Sequence, residues 1–161
     1  SCTVQGGVAG PWLERLPHFR LGFTPSQGDE LQSEYFVDRR DAPAAIRALR
    51  ELSPRFVPLL LVNEVRTIAA DDLWLSGAYA RESVGLHFTW RRDEAGVRAV
   101  LPEIEDALAP YAARPHWGKV FTMAAADIRA RYPRFDEATA LRGRLDPTGT
   151  FRNSFLADLG F

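Results

Sequence analysis

The stretch SVGLHFTWR, residues 83–91, alternates without a break, and this pattern restricts the fold more narrowly than any other in the chain. Successive side chains on a strand point to opposite faces. Val84, Leu86, Phe88 and Trp90 therefore share one face, and Gly85, His87, Thr89 and Arg91 share the other. Such a strand needs a sheet with one apolar side covered and one polar side left open.

Two helical patterns are available as the cover. In DAPAAIRALRELS, Ala42, Ala45, Ile46, Leu49 and Leu52 recur on one helical face, with Asp41 as the expected cap. Val97, Leu101, Ile104, Leu108 and Tyr111 keep the same spacing, and Pro102 predicts a kink or a restart. EYFVDR, residues 34–39, has strand-like content, and VPLLLVNEVRTI, residues 57–68, reads as a central strand entered past Pro54 and Pro58. A loop containing DDLWLSGAY separates that run from the alternating strand. The order strand, helix, strand, strand, helix is most of a split β-α-β unit. The expected fold is α+β, an antiparallel sheet with helices on one face. Shorter helices are predicted over 123–131 and 135–142, before a turn-rich end, LDPTGTFRNSFLADLGF.

A chain of 161 residues, 46% hydrophobic and 25% charged, suits one soluble domain with a real core. The formal net charge of −1 gives no electrostatic reason to expect nucleic acid or an anionic membrane as partner. No apolar run has the length of a membrane span. Cys2 stands alone, so no internal disulfide or cysteine-based metal cluster can form, and a reducing, cytoplasmic setting is expected. The small, glycine-rich start SCTVQGGVAG reads as a tail or linker over residues 1–11, and 12–161 as the domain.

Glu64 and Arg66 interrupt an otherwise apolar run, and at i and i+2 they share a strand face. They read either as a structural ion pair at a sheet margin or as the wall of a polar cavity, since charges in an apolar strand need partners. His87 and Thr89 form a second polar row. If the two strands are neighbours, acceptor, cation, imidazole and hydroxyl make a platform suited to a molecule with many hydroxyls; spacing alone equally admits a solvated face. His18, among apolar neighbours in LPHFR, reads as a packed or surface residue. His87 and His116 lack zinc-site spacing, so no metal is assigned. No dinucleotide fingerprint, P-loop or nucleophile elbow occurs, and GRLDPTG needs only a turn to explain it.

HWGK at residues 116–119, with NEVRT and DPTGTFRNSFL, resembles the carboxy-terminal part of the sugar-alcohol and aldonolactone oxidases of the vanillyl-alcohol oxidase superfamily. RLPHFRLGFTPS, ELQSEYFV, VNEVRTIAADDLWLS and LHFTW extend the likeness, over residues 12–161, toward the alditol (xylitol) oxidases. The resemblance implies a substrate (cap) domain that closes over a flavin. FAD would be held covalently by a separate amino-terminal domain of the same protein, absent from this chain. It implies oxidation of the C1 primary alcohol of a polyol to the aldehyde, with oxygen reduced to hydrogen peroxide, and an isolated chain that is inactive. Glu64, Arg66, Thr89 and Lys119 then fall in the polyol site, with His87 beside them and His116 against the flavin. Lys119 and Arg66 would carry the catalytic positive charge, Gly118 would admit close backbone approach, and Trp117 would pack behind. An aldonolactone oxidase or dehydrogenase domain, or a non-enzymatic sugar-binding module, are the alternatives.

Overall fold

The computed structural model describes residues 8–11 and 29–161. Cys2, most of the glycine-rich start and the segment carrying His18 lie outside the described residues. Contacts divide the chain after Glu30, and every helix and strand among the described residues belongs to the compact unit Leu31–Phe161.

The first half of this unit is a β-α-β-β-α-β succession: β1 (Leu31–Asp38), α1 (Ala42–Phe56), β2 (Leu60–Ile68), β3 (Ser83–Trp90), α2 (Glu94–Leu108) and β4 (Arg114–Pro115). The four strands lie in the order β2-β3-β1-β4, and each neighbouring pair is antiparallel. This is the split β-α-β arrangement, in which each helix carries the chain over one face of the sheet. The expected α+β class is therefore observed.

The alternation of β3 is satisfied on that helical side. Val84, Leu86, Phe88 and Trp90 join Tyr35 and Val37 of β1, and α1 and α2 cover them with Ala45, Leu49, Val97, Leu101, Ile104 and Leu108. The rings of Phe88 and Trp90 stack at 5.0 Å, and Phe56 meets both edge-on. Offset and edge contacts of this kind add to the burial itself.

Several local expectations are corrected. Among the described residues the apolar run at 57–68 is an edge strand, not a central one: there β2 pairs only with β3, and Leu61–Thr67 are exposed. Strand order is a long-range property, and here β1 takes the central place beside β3. Pro58 sits in a short 3₁₀ turn, Val57–Leu59, ahead of the strand. Asp41 makes no side-chain cap; its carbonyl instead accepts from the Ala44 and Ala45 amides. A true cap appears at α2, where the Asp93 carboxylate accepts from Gly96 N at 2.9 Å. Pro102 lies inside α2, which remains one helix. Ile46, on the predicted buried face, is 40% exposed.

The second half adds α3 (Ala125–Arg131), α4 (Phe135–Leu145) and α5 (Ser154–Asp158), the last within the tail that reads as turns. Met123, Ile128, Tyr132, Phe135, Leu159 and Phe161 form a smaller core, against which Leu75, Trp117 and Phe121 pack. No helix among the described residues is long and apolar enough to cross a membrane.

Candidate active site

The polar face of the sheet is built by register. His87 of β3 lies between Glu34 of β1 and Glu64 of β2, Gly85 lies between Phe36 and Arg66, and Thr89 between Gln32 and Val62. A register shift between Leu60 and Val62 sets this parity. It lets Leu60 pack beside Trp90 in the core while Val62, Glu64 and Arg66 share the face of Thr89, His87 and Gly85.

The segment 113–121, which spacing alone reads as a connection between helices, enters the sheet through the pairing of Arg114 and Pro115 with Phe36 and Tyr35. It then runs along β1. His116 N donates to Glu34 O at 2.9 Å, and Val120 N donates to Gln32 O at 2.8 Å. The Ser33 hydroxyl donates to Val120 O at 2.8 Å and accepts from Trp90 Nε1 at 3.1 Å. Behind it, the buried Glu105 carboxylate accepts from the amide and hydroxyl of Thr122, each at 2.7 Å, and from the Tyr35 hydroxyl at 2.8 Å. Trp117 does pack behind: Nε1 donates to Leu75 O at 2.8 Å and its ring lies 5.0 Å from that of Tyr132. The segment is strapped from both sides, which holds its side chains over the polar face.

Lys119 is the result. Its Nζ lies 2.5 Å from Glu34 Oε2 and 2.7 Å from His87 Nδ1. An ammonium donates only, so Nδ1 of His87 accepts and the ring proton is assigned to Nε2, which meets Thr89 Oγ1 at 3.1 Å. His87 Nδ1 is also 3.5 Å from Glu34 Oε2, the weaker of its two contacts. Arg66 reaches Glu34 Oε1 at 3.4 Å through Nη1 and pairs with Glu64 through Nη2. Glu34, Lys119, His87 and Thr89 thus form a chain of contacts, with Arg66 and Glu64 on its open side.

Burial by itself would raise the Glu34 carboxyl. The hydrogen bond from Lys119, and the charges of Lys119 and Arg66, outweigh it and bring the group down to about 2. At His116, burial and then the Lys119 charge hold the imidazole below its ordinary value, so it is neutral at pH 7. Its Nδ1 accepts from Gly118 N at 3.1 Å, and its ring lies 5.8 Å from Phe36. A Cβ added at Gly118 would meet only that ring, at an ordinary 3.4 Å. No group of acidic, histidine or cysteine side chains suited to a metal ion occurs among the described residues.

All six residues singled out by sequence, Glu64, Arg66, His87, Thr89, His116 and Lys119, border this one face. Glu34, at its centre, is the one that sequence reasoning passes over. Its signal is present: Glu34 is the one charge between Leu31 and Val37, with Ser33, Tyr35 and Val37 facing the other way.

The Glu34 shift carries a pH prediction. A depressed carboxyl contributes stability above its unfolded value near 4.5, and loses it as pH falls through about 2. The contribution is on the order of 3 kcal/mol. Unfolding measured in denaturant should show Glu34→Gln less stable than the unaltered protein at pH 7 and at pH 5, the gap closing as pH approaches 2. A gap already closed at pH 5 would contradict the assignment.

Comparison with known proteins places the chain. The D-arabinono-1,4-lactone oxidase family profile matches residues 26–159. An alditol oxidase of a Streptomyces species is 52% identical over 159 residues, covering 99% of this chain and 38% of the relative. An L-gulono-1,4-lactone dehydrogenase of Mycobacterium tuberculosis is 37% identical over 77% of the chain and 29% of its own length. The L-gulonolactone oxidase of Bos taurus is 31% identical over 73% of the chain and 27% of its own. The chain thus spans well under half the length of each of these relatives. By this match over most of its length, the chain belongs to the D-arabinono-1,4-lactone oxidase family.

Proposed function

We propose that residues 12–161 are the substrate (cap) domain of a cytoplasmic, flavin-dependent oxidase that converts the C1 primary alcohol of a polyol such as xylitol or sorbitol to the aldehyde, reducing O2 to H2O2. The observation that carries this reading is the Lys119 ammonium, held by Glu34 and His87 beside a row of hydroxyl-binding groups. The likeness to an alditol oxidase over nearly the whole chain supports the polyol.

The donor set fits the edge of a flavin ring. Neutral His116 lies against Phe36, exposed Gly118 adds no side chain, and a lysine cation is adjacent. The rest of the FAD, attached covalently, would be held by parts of the longer protein outside this chain. Bound there, a flavin supplies the acceptor for a hydride from C1. Glu64 accepts hydrogen bonds from neighbouring hydroxyls of the polyol and Thr89 adds a hydroxyl contact, which together fix the end that reacts. The C1 hydroxyl would give its proton to a water in the site, and the negative charge gained by its oxygen would be stabilised by Lys119 and Arg66.

A lactone substrate is the second reading, favoured by the family profile and the gulonolactone-named relatives. The test is a polypeptide containing this chain at the length of those relatives. It should purify with a visible flavin band and release H2O2 with xylitol or sorbitol in preference to L-gulono-1,4-lactone. Turnover of the lactone alone would replace the polyol reading, and the isolated chain is expected to retain no flavin.

A further inference from the structure

We propose that Glu34 is the positioning residue of this site, a buried carboxylate that fixes the two cations Lys119 and Arg66 relative to one another in a space kept open by Gly85. The proposal rests on the reading of this face as a polyol site, and adds a residue and a steric requirement to it.

Sheet order dictates the geometry. Arg66 belongs to β2, and β3 lies between β2 and β1, which carries Glu34. To reach Glu34 Oε1, the guanidinium must pass over β3, and the residue paired with Arg66 there is Gly85. A Cβ at residue 85 would stand 2.7 Å from Glu34 Oε1 and 3.2 Å from Ile68 Cδ1. Gly85 does not adopt a positive φ, so backbone freedom does not explain the glycine; the carboxylate occupying that space does.

Glu34 also holds the opposite side. Its main-chain oxygen accepts from His116 N at 2.9 Å, while its Oε2 lies 2.5 Å from Lys119 Nζ. Both ends of HWGK are therefore fastened to one residue of a central strand, 4% exposed. Without the carboxylate, Lys119 and Arg66 would face each other as like charges in a partly desolvated site.

Lys119 is the only lysine in the chain; every other one of its 20 Lys and Arg residues is an arginine. An ammonium has three donors in a compact head, whereas a guanidinium is a flat fork. Glu34 and His87 take two of the three, which leaves one N–H in a defined direction for the reacting hydroxyl. Glu34 touches Lys119 and Arg66 rather than substrate, and so acts through them.

The test uses the flavin-bearing full-length polypeptide and three variants, Glu34→Gln, Glu34→Asp and Gly85→Ala. Two readouts are taken: the kcat and KM for xylitol, and the acetylation of Lys119 by acetic anhydride at pH 8, quantified by peptide mass spectrometry. For Glu34→Gln, kcat should fall about 100-fold, as when a group that orients a catalytic charge is lost, while KM changes much less because Glu64 and Thr89 remain. Lys119 acetylation should rise, because the amine is no longer held against Glu34 Oε2. Glu34→Asp should keep acetylation near that of the unaltered protein yet still lose kcat, since its carboxylate is one methylene short. Gly85→Ala, which keeps every charge, should lower kcat by about tenfold through displacement of Oε1. Unchanged kcat in folded, flavin-loaded Glu34→Gln, or unchanged Lys119 acetylation, would overturn the proposal. If the unaltered protein fails to oxidise any polyol, the functional reading falls instead, and the acetylation comparison still decides whether Glu34 holds Lys119.

Discussion

Lys119→Ala is expected to lower xylitol turnover of the flavin-bearing polypeptide by about two to three orders of magnitude, the usual consequence of removing a preorganised charge from a developing oxyanion. The reason is local. The ammonium is anchored between Glu34 at 2.5 Å and His87 at 2.7 Å, so it needs no reorganisation when the hydroxyl begins to lose its proton. Binding should suffer less than turnover, because Glu64, Arg66 and Thr89 stay on the face. Lys119→Arg should not restore the rate: a planar fork cannot point one donor at Glu34, one at His87 and one at substrate. Steady-state peroxide release over a range of xylitol concentrations measures both effects. Near-normal kcat in the alanine variant would remove Lys119 from the mechanism.

The second large effect is on stability. Trp90→Ala should destabilise the unit by about 3–5 kcal/mol, the range for truncating a buried large aromatic. Trp90 is fully buried, stacked on Phe88 and met edge-on by Phe56. Its indole N–H also donates to Ser33 Oγ, which in turn donates to Val120 O, one residue past Lys119. The core residue is thereby tied to the segment that carries the site. Trp90→Phe keeps most of the burial and removes the donor, so it should cost less overall, with the loss felt most at residues 116–122. Hydrogen exchange followed along the full-length protein distinguishes the two variants. A loss below about 1 kcal/mol for the alanine variant would mean that this layer is not the centre of the core.

Much of this architecture is readable from the chain alone because it depends on local periodicity. The alternation of residues 83–90 assigns His87 and Thr89 to one face and Leu86, Phe88 and Trp90 to the other, and the i, i+2 spacing does the same for Glu64 and Arg66. The helical repeats at Ala45 and Leu49, and at Val97, Leu101, Ile104 and Leu108, specify the cover for the apolar face. Motif likeness singles out HWGK, although nothing in its composition shows what it faces.

The remainder depends on long-range strand pairing. Apolar content makes 57–68 look central, yet strand order places β2 at the edge, because order depends on which strands close over long separations rather than on the composition of any one. That same order puts β1 in the middle, with Glu34 beneath Lys119, Gly85 under the reach of Arg66 and β4 drawing HWGK onto the sheet. Which residues share a face follows from the order of the chain, since side-chain direction alternates with the backbone. The fold decided which faces meet, since contacts between residues as far apart as Glu34 and Lys119 exist only after the strands have paired.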